Sequence, residues 1–417
     1  MSALTDTVAY GIALHRRRAR LAVHALARRD PMAQLEVWPG RFDPYPRYDR
    51  IRATGPMVRT RTGAWVTTSH ALCDEMLRDR RYGVQARDEP PADSPTELSF
   101  LDRDPPDHGR LRRLVAPAFT PRRIAQFRPR VEDITARLVE SAAGHRSFDL
   151  IAAVAVPLPI AVISDLLGLS GADRAALVRY GRTIGDGLDG ARSLGQARRL
   201  RLARAALDRT FAELIVRRRR APGDDLVSRL LAAEGEQLSP AELRALCTLL
   251  LVAGFDTTVN LLGNAVHALL SHPDQWAMLR ADPALAARAV EETLRYDAPV
   301  QRVARVTHEA VELGGVPLRP GEWVFALLGA ANRDPAAYAH PDRFDLTRPP
   351  AAEHLAFSAG PHFCLGAALA RLEGEVALEV LARRLDLRPG GSGRRRRSAT
   401  MRGFRRLPVV ARPARDR

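Results

Sequence analysis

The residues best suited to chemistry lie in one ten-residue stretch, Phe357-Ser358-Ala359-Gly360-Pro361-His362-Phe363-Cys364-Leu365-Gly366. A cysteine there opens a helical pattern, and the positive end of a helix dipole with its free N–H groups stabilises a thiolate. Glycines and a proline shape a tight loop before it, so the backbone can lie close against something flat, and Phe357 can shield the sulfur. The bland alternative is a buried helix-start cysteine, the commonest fate of a free thiol. A second cluster, Ala253-Gly254-Phe255-Asp256-Thr257-Thr258, sets an acid and two hydroxyls inside an otherwise apolar helix. Such hydroxyls either bond back to preceding carbonyls or serve buried chemistry, and Gly254 suits a local distortion of the helix. Glu292 and Arg295 stand three apart, His108 and Arg112 four apart, so each pair shares a helix face. Pairs of that kind mostly decorate solvated surfaces.

Helices must carry most of these groups. Pro240 opens a long apolar helix, with Ser239 as N-cap and Glu242 three residues later. Two stretches, Leu150–Leu169 and Ala245–Leu270, are apolar enough to suggest membrane spans. The first holds Pro157, Pro159 and Asp165, the second Asp256, threonines and two asparagines, so both read as core helices. Further helical patterns follow Pro105, Pro121 and Gly171, cover 191–220, run from Pro283 to about Asp297, and finish from Cys364 to about Arg384. Strand signals flank Gly63 and fill 302–328. The expected fold is mainly α with small β-sheets: residues 1–41 a basic N-terminal extension, residues 42–417 one domain.

Composition narrows the function. A chain of 417 residues with 46% hydrophobic and 27% charged residues is neither disordered nor a disulfide scaffold. Three scattered cysteines, Cys73, Cys247 and Cys364, form no zinc or disulfide framework and point to the cytoplasm. The net charge of +16 comes from 64 basic against 48 acidic residues, and every basic one is arginine. These arginines are dispersed, with short runs at Arg16–Arg18, Arg217–Arg220 and Arg394–Arg397. No nucleic-acid motif accompanies them, so GC-rich coding explains the charge better than phosphate binding. The stretch Leu21–Ala27 after the early arginines is short and holds His24, which argues against an export signal.

The stretch ending in Cys364 resembles the haem-binding loop of the cytochrome P-450 superfamily, Phe-Gly-x-Gly-x-His-x-Cys-x-Gly, with Ser358 in place of the first glycine. Glu292-Thr293-Leu294-Arg295 resembles the family's Glu-x-x-Arg pair, and Pro341-Asp342-Arg343-Phe344 its meander. The resemblance implies the family's triangular-prism fold, with haem b between the long distal helix and the Cys-loop helix. It makes Cys364 the thiolate ligand of the iron, with the amides of Leu365 to Ala367 donating to the sulfur. It makes Glu292, Arg295 and Arg343 a buried structural triad. Ala253 and Gly366 would line the haem, as would Phe357. His108, Arg112, Arg305 and His362 would hold its propionates, with Arg302 a rival to Arg305. Asp256 and Thr257 would be the acid–alcohol pair that delivers protons during oxygen activation.

By the same resemblance the chain is a monooxygenase that inserts one oxygen atom from O₂ into a lipophilic substrate. NAD(P)H would supply electrons through a separate ferredoxin and ferredoxin reductase. The implied substrate pocket draws on Leu98, Phe100, Leu101, Tyr180, Ile184, Leu188, Val300, Val303, Met401 and Phe404. These mostly apolar residues suit a terpenoid, steroid, fatty acid or polyketide. The alternatives are isomerase, dehydratase or peroxygenase chemistry on the same haem-thiolate fold, or a non-catalytic haem-binding protein.

Overall fold

The computed structural model describes residues 15–16, 18–37, 39–86, 99–169, 171–187, 189–235, 237–349 and 351–413. Its helices used below are α1 (Pro31–Glu36), α2 (Tyr45–Thr54), α3 (Asp107–Val115), α4 (Arg128–Ala143), α5 (Pro157–Leu167), α6 (Gly171–Gly185), α7 (Leu194–Arg220), α8 (Pro240–Ser271), α9 (Ala286–Tyr296) and α10 (Ala367–Arg384). The axis of the molecule is α8. It starts where the sequence places it, with the Ser239–Glu242 capping box made in both directions. It is apolar on nearly all sides because helices surround it: α5, α6, α7, α9 and α10 all pack on it. Among the described residues it alone is long and apolar enough to cross a membrane, but 83% of its most apolar window is buried inside the protein.

The strands are short and peripheral. In chain order they are β1 (Met57–Arg59), β2 (Trp65–Thr67), β3 (Tyr82–Gly83), β4 (Ser147–Asp149), β5 (Val303–Thr307), β6 (Val311–Leu313), β7 (Val316–Leu318), β8 (Trp323–Ala326), β9 (Leu385–Pro389), β10 (Arg394–Arg395), β11 (Phe404–Arg406) and β12 (Pro408–Pro413). The main sheet runs β1-β2-β8-β5-β3, with β2 and β8 parallel and the other pairs antiparallel. Its register sets Arg305 opposite Val324. A second sheet, β4-β12-β9, closes the chain, and β10-β11 is a two-stranded ribbon beside it.

The expected boundary between residues 41 and 42 is not a structural one. Met32 and Leu35 of α1 join Tyr48 and Ile51 of α2, Val66 and Leu327 in one apolar cluster. Asp30 caps α1 through Ala33 N–H at 2.8 Å and accepts Arg61 N–H at 2.6 Å. Glu36 is ion-paired with Arg302. The segment around α1 is therefore part of the body, because its apolar face has no other cover. That ion pair, together with a bond from Nε to Thr400 Oγ1 at 3.2 Å, also commits Arg302 elsewhere and leaves the site below to Arg305.

Candidate functional site

The loop before α10 is built by its glycines. Gly360 lies at φ +64°, and a Cβ there would run into the Leu77 carbonyl. Ser358 adopts φ +62° without a glycine's freedom, and its buried hydroxyl has no partner. A non-glycine residue in this left-handed region costs roughly 1–2 kcal/mol. Ser358→Gly is accordingly expected to raise stability by about 1 kcal/mol, read as a higher denaturation midpoint; a lower midpoint would show that the hydroxyl matters more than the backbone.

The turn places Cys364 three residues before α10, its N–H donating to Phe357 O at 2.8 Å. Burial pushes the thiol up from its ordinary value, while the Gly366 amide and the guanidinium groups of Arg112 and Arg371 pull it down. Of the three amides expected at the sulfur, Gly366 is the one that donates. Phe357 is buried under the Arg371 guanidinium, 4.6 Å from the ring centre.

Four basic side chains from three elements meet next to this loop. His108 and Arg112 come from α3, Arg305 from β5 and His362 from the loop itself. The His108 and His362 rings are 4.3 Å apart. Arg112 donates to Phe363 O at 2.6 Å, and its guanidinium stands 5.9 Å from the Phe100 ring centre. Arg305 is 7% exposed and donates to Ala304 O. Burial lowers it to about 10, with only Asp104 opposing. His362 is driven down to about 3 by burial, then by Arg305, His108 and Arg112. The buried Nε2 of His108 has no partner. Two guanidinium groups and two imidazoles crowded together, with an unpaired buried ring nitrogen among them, are costly unless an anion meets them.

The long helix α8 has a gap in its packing. From Ala245 to Val266 every residue is buried except Ala253, Gly254 and Thr257. The expected local distortion does not occur: α8 is unbroken, and Thr257 and Thr258 donate to Ala253 O at 2.6 Å and Gly254 O at 3.0 Å. Room comes from two small side chains in register instead. Asp256 lies on the buried side, 2% exposed, ion-paired with Arg396.

A thiol, a basic cluster with an orphaned ring nitrogen, an open strip on α8 and open space where a Gly366 Cβ would stand fit a flat dianionic metallocofactor, haem b. Cys364 would hold its iron, and His108, Arg112, Arg305 and His362 its carboxylates.

The proximal support departs from expectation in one member. Glu292 accepts from Arg295 Nε and Nη2 at 2.8 Å each, both side chains being buried. The second arginine is Arg348, whose Nε reaches both Glu292 oxygens at 3.2 Å. Arg343 is not in the triad: its side chain is 65% exposed beside Asp345, and only its carbonyl turns inward, to Arg295 and Arg348. The turn that buries the next residue, Phe344, faces Arg343 outward.

The expected pocket residues scatter. Val300 pairs with Met401 in an isolated bridge, Val303 is half-buried in β5 and Ile184 is 2% exposed. Phe100 packs on His108 with ring centres 6.2 Å apart, and Leu101 is exposed. The Tyr180 hydroxyl accepts from Arg179 at 2.7 Å. Phe404 belongs to the core instead, its ring 4.8 Å from His267 and 3.9 Å below the Arg395 guanidinium. Leu98 and Leu188 lie outside the described residues. Sequence reasoning missed Arg348 and Arg396; in a chain whose every basic residue is arginine, neither carries a spacing signal.

Known proteins agree with this layout. The Cytochrome P450 family model matches residues 195–409. Cytochrome P450 107B1 of Saccharopolyspora erythraea is 44% identical over 88% of this chain and 95% of its own length. Putative cytochrome P450 140 of Mycobacterium tuberculosis is 40% identical over 97% and 98%. The crystal structure of P450BioI in complex with acyl carrier protein ligated to hexadec-9Z-enoic acid superposes with a TM-score of 0.84 at 36% identity, over 89% of this chain and 99% of that one. Family model, relatives and superposed structure coincide on one assignment: the chain belongs to the cytochrome P450 family of haem-thiolate monooxygenases.

Proposed function

We propose that this oxidoreductase hydroxylates a lipophilic substrate in the cytoplasm, with electrons passed from NAD(P)H by a ferredoxin and its reductase. The observation that carries the reading is the unburied set Ala253, Gly254 and Thr257 on an otherwise enclosed α8, which packs on the helix that follows Cys364. Val300 and Val303, both half-buried, are apolar, which suits a lipophilic guest. P450BioI, a solved relative, takes a fatty acyl chain. The arginine excess of the chain suits an acidic electron donor.

When bound, the haem supplies oxygen activation and insertion of one oxygen atom into the substrate. The chain's own residues do the rest. His108, Arg112, Arg305 and His362 bind the cofactor's carboxylates and fix its rotation in the site. Phe357 and the buried loop exclude water from the Cys364 sulfur. Thr257 holds its hydroxyl hydrogen toward Ala253 O at 2.6 Å, which leaves the oxygen free to accept from an ordered water. Asp256, whose Oδ2 has no protein partner, is the proton carrier that feeds this relay. This is general-acid positioning.

Removal of the Thr257 hydroxyl should misroute electrons without disturbing binding. Thr257→Ala is expected to consume NAD(P)H at a comparable rate and to release much of it as hydrogen peroxide, with the substrate-induced spin-state shift unchanged. Thr258→Ala should do less. Product and peroxide per NAD(P)H, measured with reconstituted redox partners, decide the matter; wild-type coupling in Thr257→Ala would remove the hydroxyl from the mechanism.

A further inference from the structure

Asp256 sits at a junction of three elements. Its carboxylate is ion-paired with Arg396, which follows β10 directly, and the same guanidinium reaches Asp186 at the end of α6 at 3.1 Å. Asp186 in turn accepts Arg405 of β11 at 2.8 Å. Arg396 Nη1 also approaches Asn260 Oδ1, one helical turn along α8, at 3.4 Å. Above the acid, α6 crosses α8 on glycines. A Cβ on Gly185 would collide with Asp256 Oδ2, and one on Gly181 would stand 3.0 Å from Phe255. Glycines four apart let the two backbones approach closely, so α6 forms a roof over the carboxylate. Arg396, at 8% exposure, closes the remaining side.

We infer that Arg396 is a positioning residue for Asp256: by bridging it to Asp186 it fixes the direction of the carboxylate beneath α6. The inference deepens the proposed function and rests on Asp256 as proton carrier. A buried carboxylate with one fixed oxygen presents the other in a single direction, here Oδ2 under the Gly185 backbone. Without Arg396 the group is free to rotate toward Asn260, and its charge is left with less support. Charged groups facing it are Arg396 from the ribbon, and Arg182 and Asp186 from α6. Burial pushes Asp256 up, Arg396 is the strongest opposing influence, Asp186 adds to the rise and Arg182 opposes it. Loss of Arg396 therefore raises the acid further. Its proton is then retained to higher pH, and the alkaline limb of turnover, where a proton donor is lost, moves the same way.

The test compares Arg396→Gln, Arg396→Lys and Asp256→Asn holoenzymes with wild type. Arg396→Gln is expected to lower product formed per NAD(P)H about threefold or more, below the ~10²-fold loss of a proton donor itself. Its turnover–pH profile should move up by about one unit, while haem content and the substrate-induced spin shift stay as in wild type. Arg396→Lys should restore part of both. A readout independent of turnover is the infrared carboxyl band that Asp256→Asn removes, whose titration should move to higher pH in Arg396→Gln. If Arg396→Gln fails to fold, Gly185→Ala displaces the carboxylate while leaving every charge in place, and should uncouple likewise. Wild-type coupling and an unmoved carboxyl titration in Arg396→Gln, with Asp256→Asn impaired, would overturn this inference alone. Wild-type turnover in Asp256→Asn would overturn the proton-carrier reading and this inference with it.

Discussion

Cys364→Ala is expected to abolish the red-shifted Soret band that the reduced carbon monoxide complex of thiolate-ligated haem shows. No other sulfur can substitute. Cys73 and Cys247 are fully buried, Cys73 in a separate apolar cluster with Met76, Leu77 and Val324 of the main sheet and Cys247 inside α8. Burial pushes the Cys247 thiol up to about 12, so it offers no thiolate near neutral pH. Cys73→Ala and Cys247→Ala should therefore keep the band, with at most a modest loss of stability from the small cavity. The thiol of Cys364 is also raised by burial, so its deprotonation has to be driven by the metal it meets. A normal band in Cys364→Ala would overturn the ligand assignment outright.

Glu292→Ala should leave little haem-loaded protein. It strands the Arg295 guanidinium in a site 4% exposed and also frees Arg348, at a cost of about 3–5 kcal/mol. The two arginines then separate the structural account from the sequence-based one. Arg348 holds Glu292 and the carbonyls of Ala339, His340 and Arg343 together, so Arg348→Ala should cost about 2 kcal/mol or more. Arg343→Ala should stay within about 0.5 kcal/mol, as exposed substitutions do. Denaturation midpoints and haem content of the three variants give the answer. An Arg343→Ala loss exceeding that of Arg348→Ala would reverse the assignment.

Legibility in the sequence followed the range of the interaction. The start of α8 is readable because Ser239 and Glu242 satisfy orphaned N–H groups three residues apart, a local matter. The strands of 302–328 are readable from alternation, and the Cys364 loop from its dense pattern of fixed residues. Arg348 was hidden because the turn through Ala339–Asp345 faces one arginine out and another in, and only the backbone path decides which. Arg396 was hidden inside the run Arg394–Arg397, which reads as a solvated patch. Arg396 lies one residue past β10, beyond the register irregularity at Arg394 and Arg395, and its side chain turns in to Asp256 while Arg394 and Arg397 stay exposed. The boundary at residue 42 failed for a similar reason: the partner of Glu36 lies 266 residues away.

That last contact has a consequence for synthesis. Glu36 waits for Arg302, the Tyr45 hydroxyl for Asp297 at 2.9 Å, and the Phe42 carbonyl for Arg402 at 2.7 Å, across 360 residues. Ribosomes add roughly 5–20 residues per second, so the first helix spends on the order of 20 s or more without these partners. Its apolar face, Met32 and Leu35, has no complete cover until Leu327 has emerged. Native contacts of such long sequence separation form late. The segment around α1 is thus among the last parts to fold, and a nascent polypeptide stalled short of residue 297 is expected to carry it as a bare apolar strip open to chaperones and to its neighbours on the polysome.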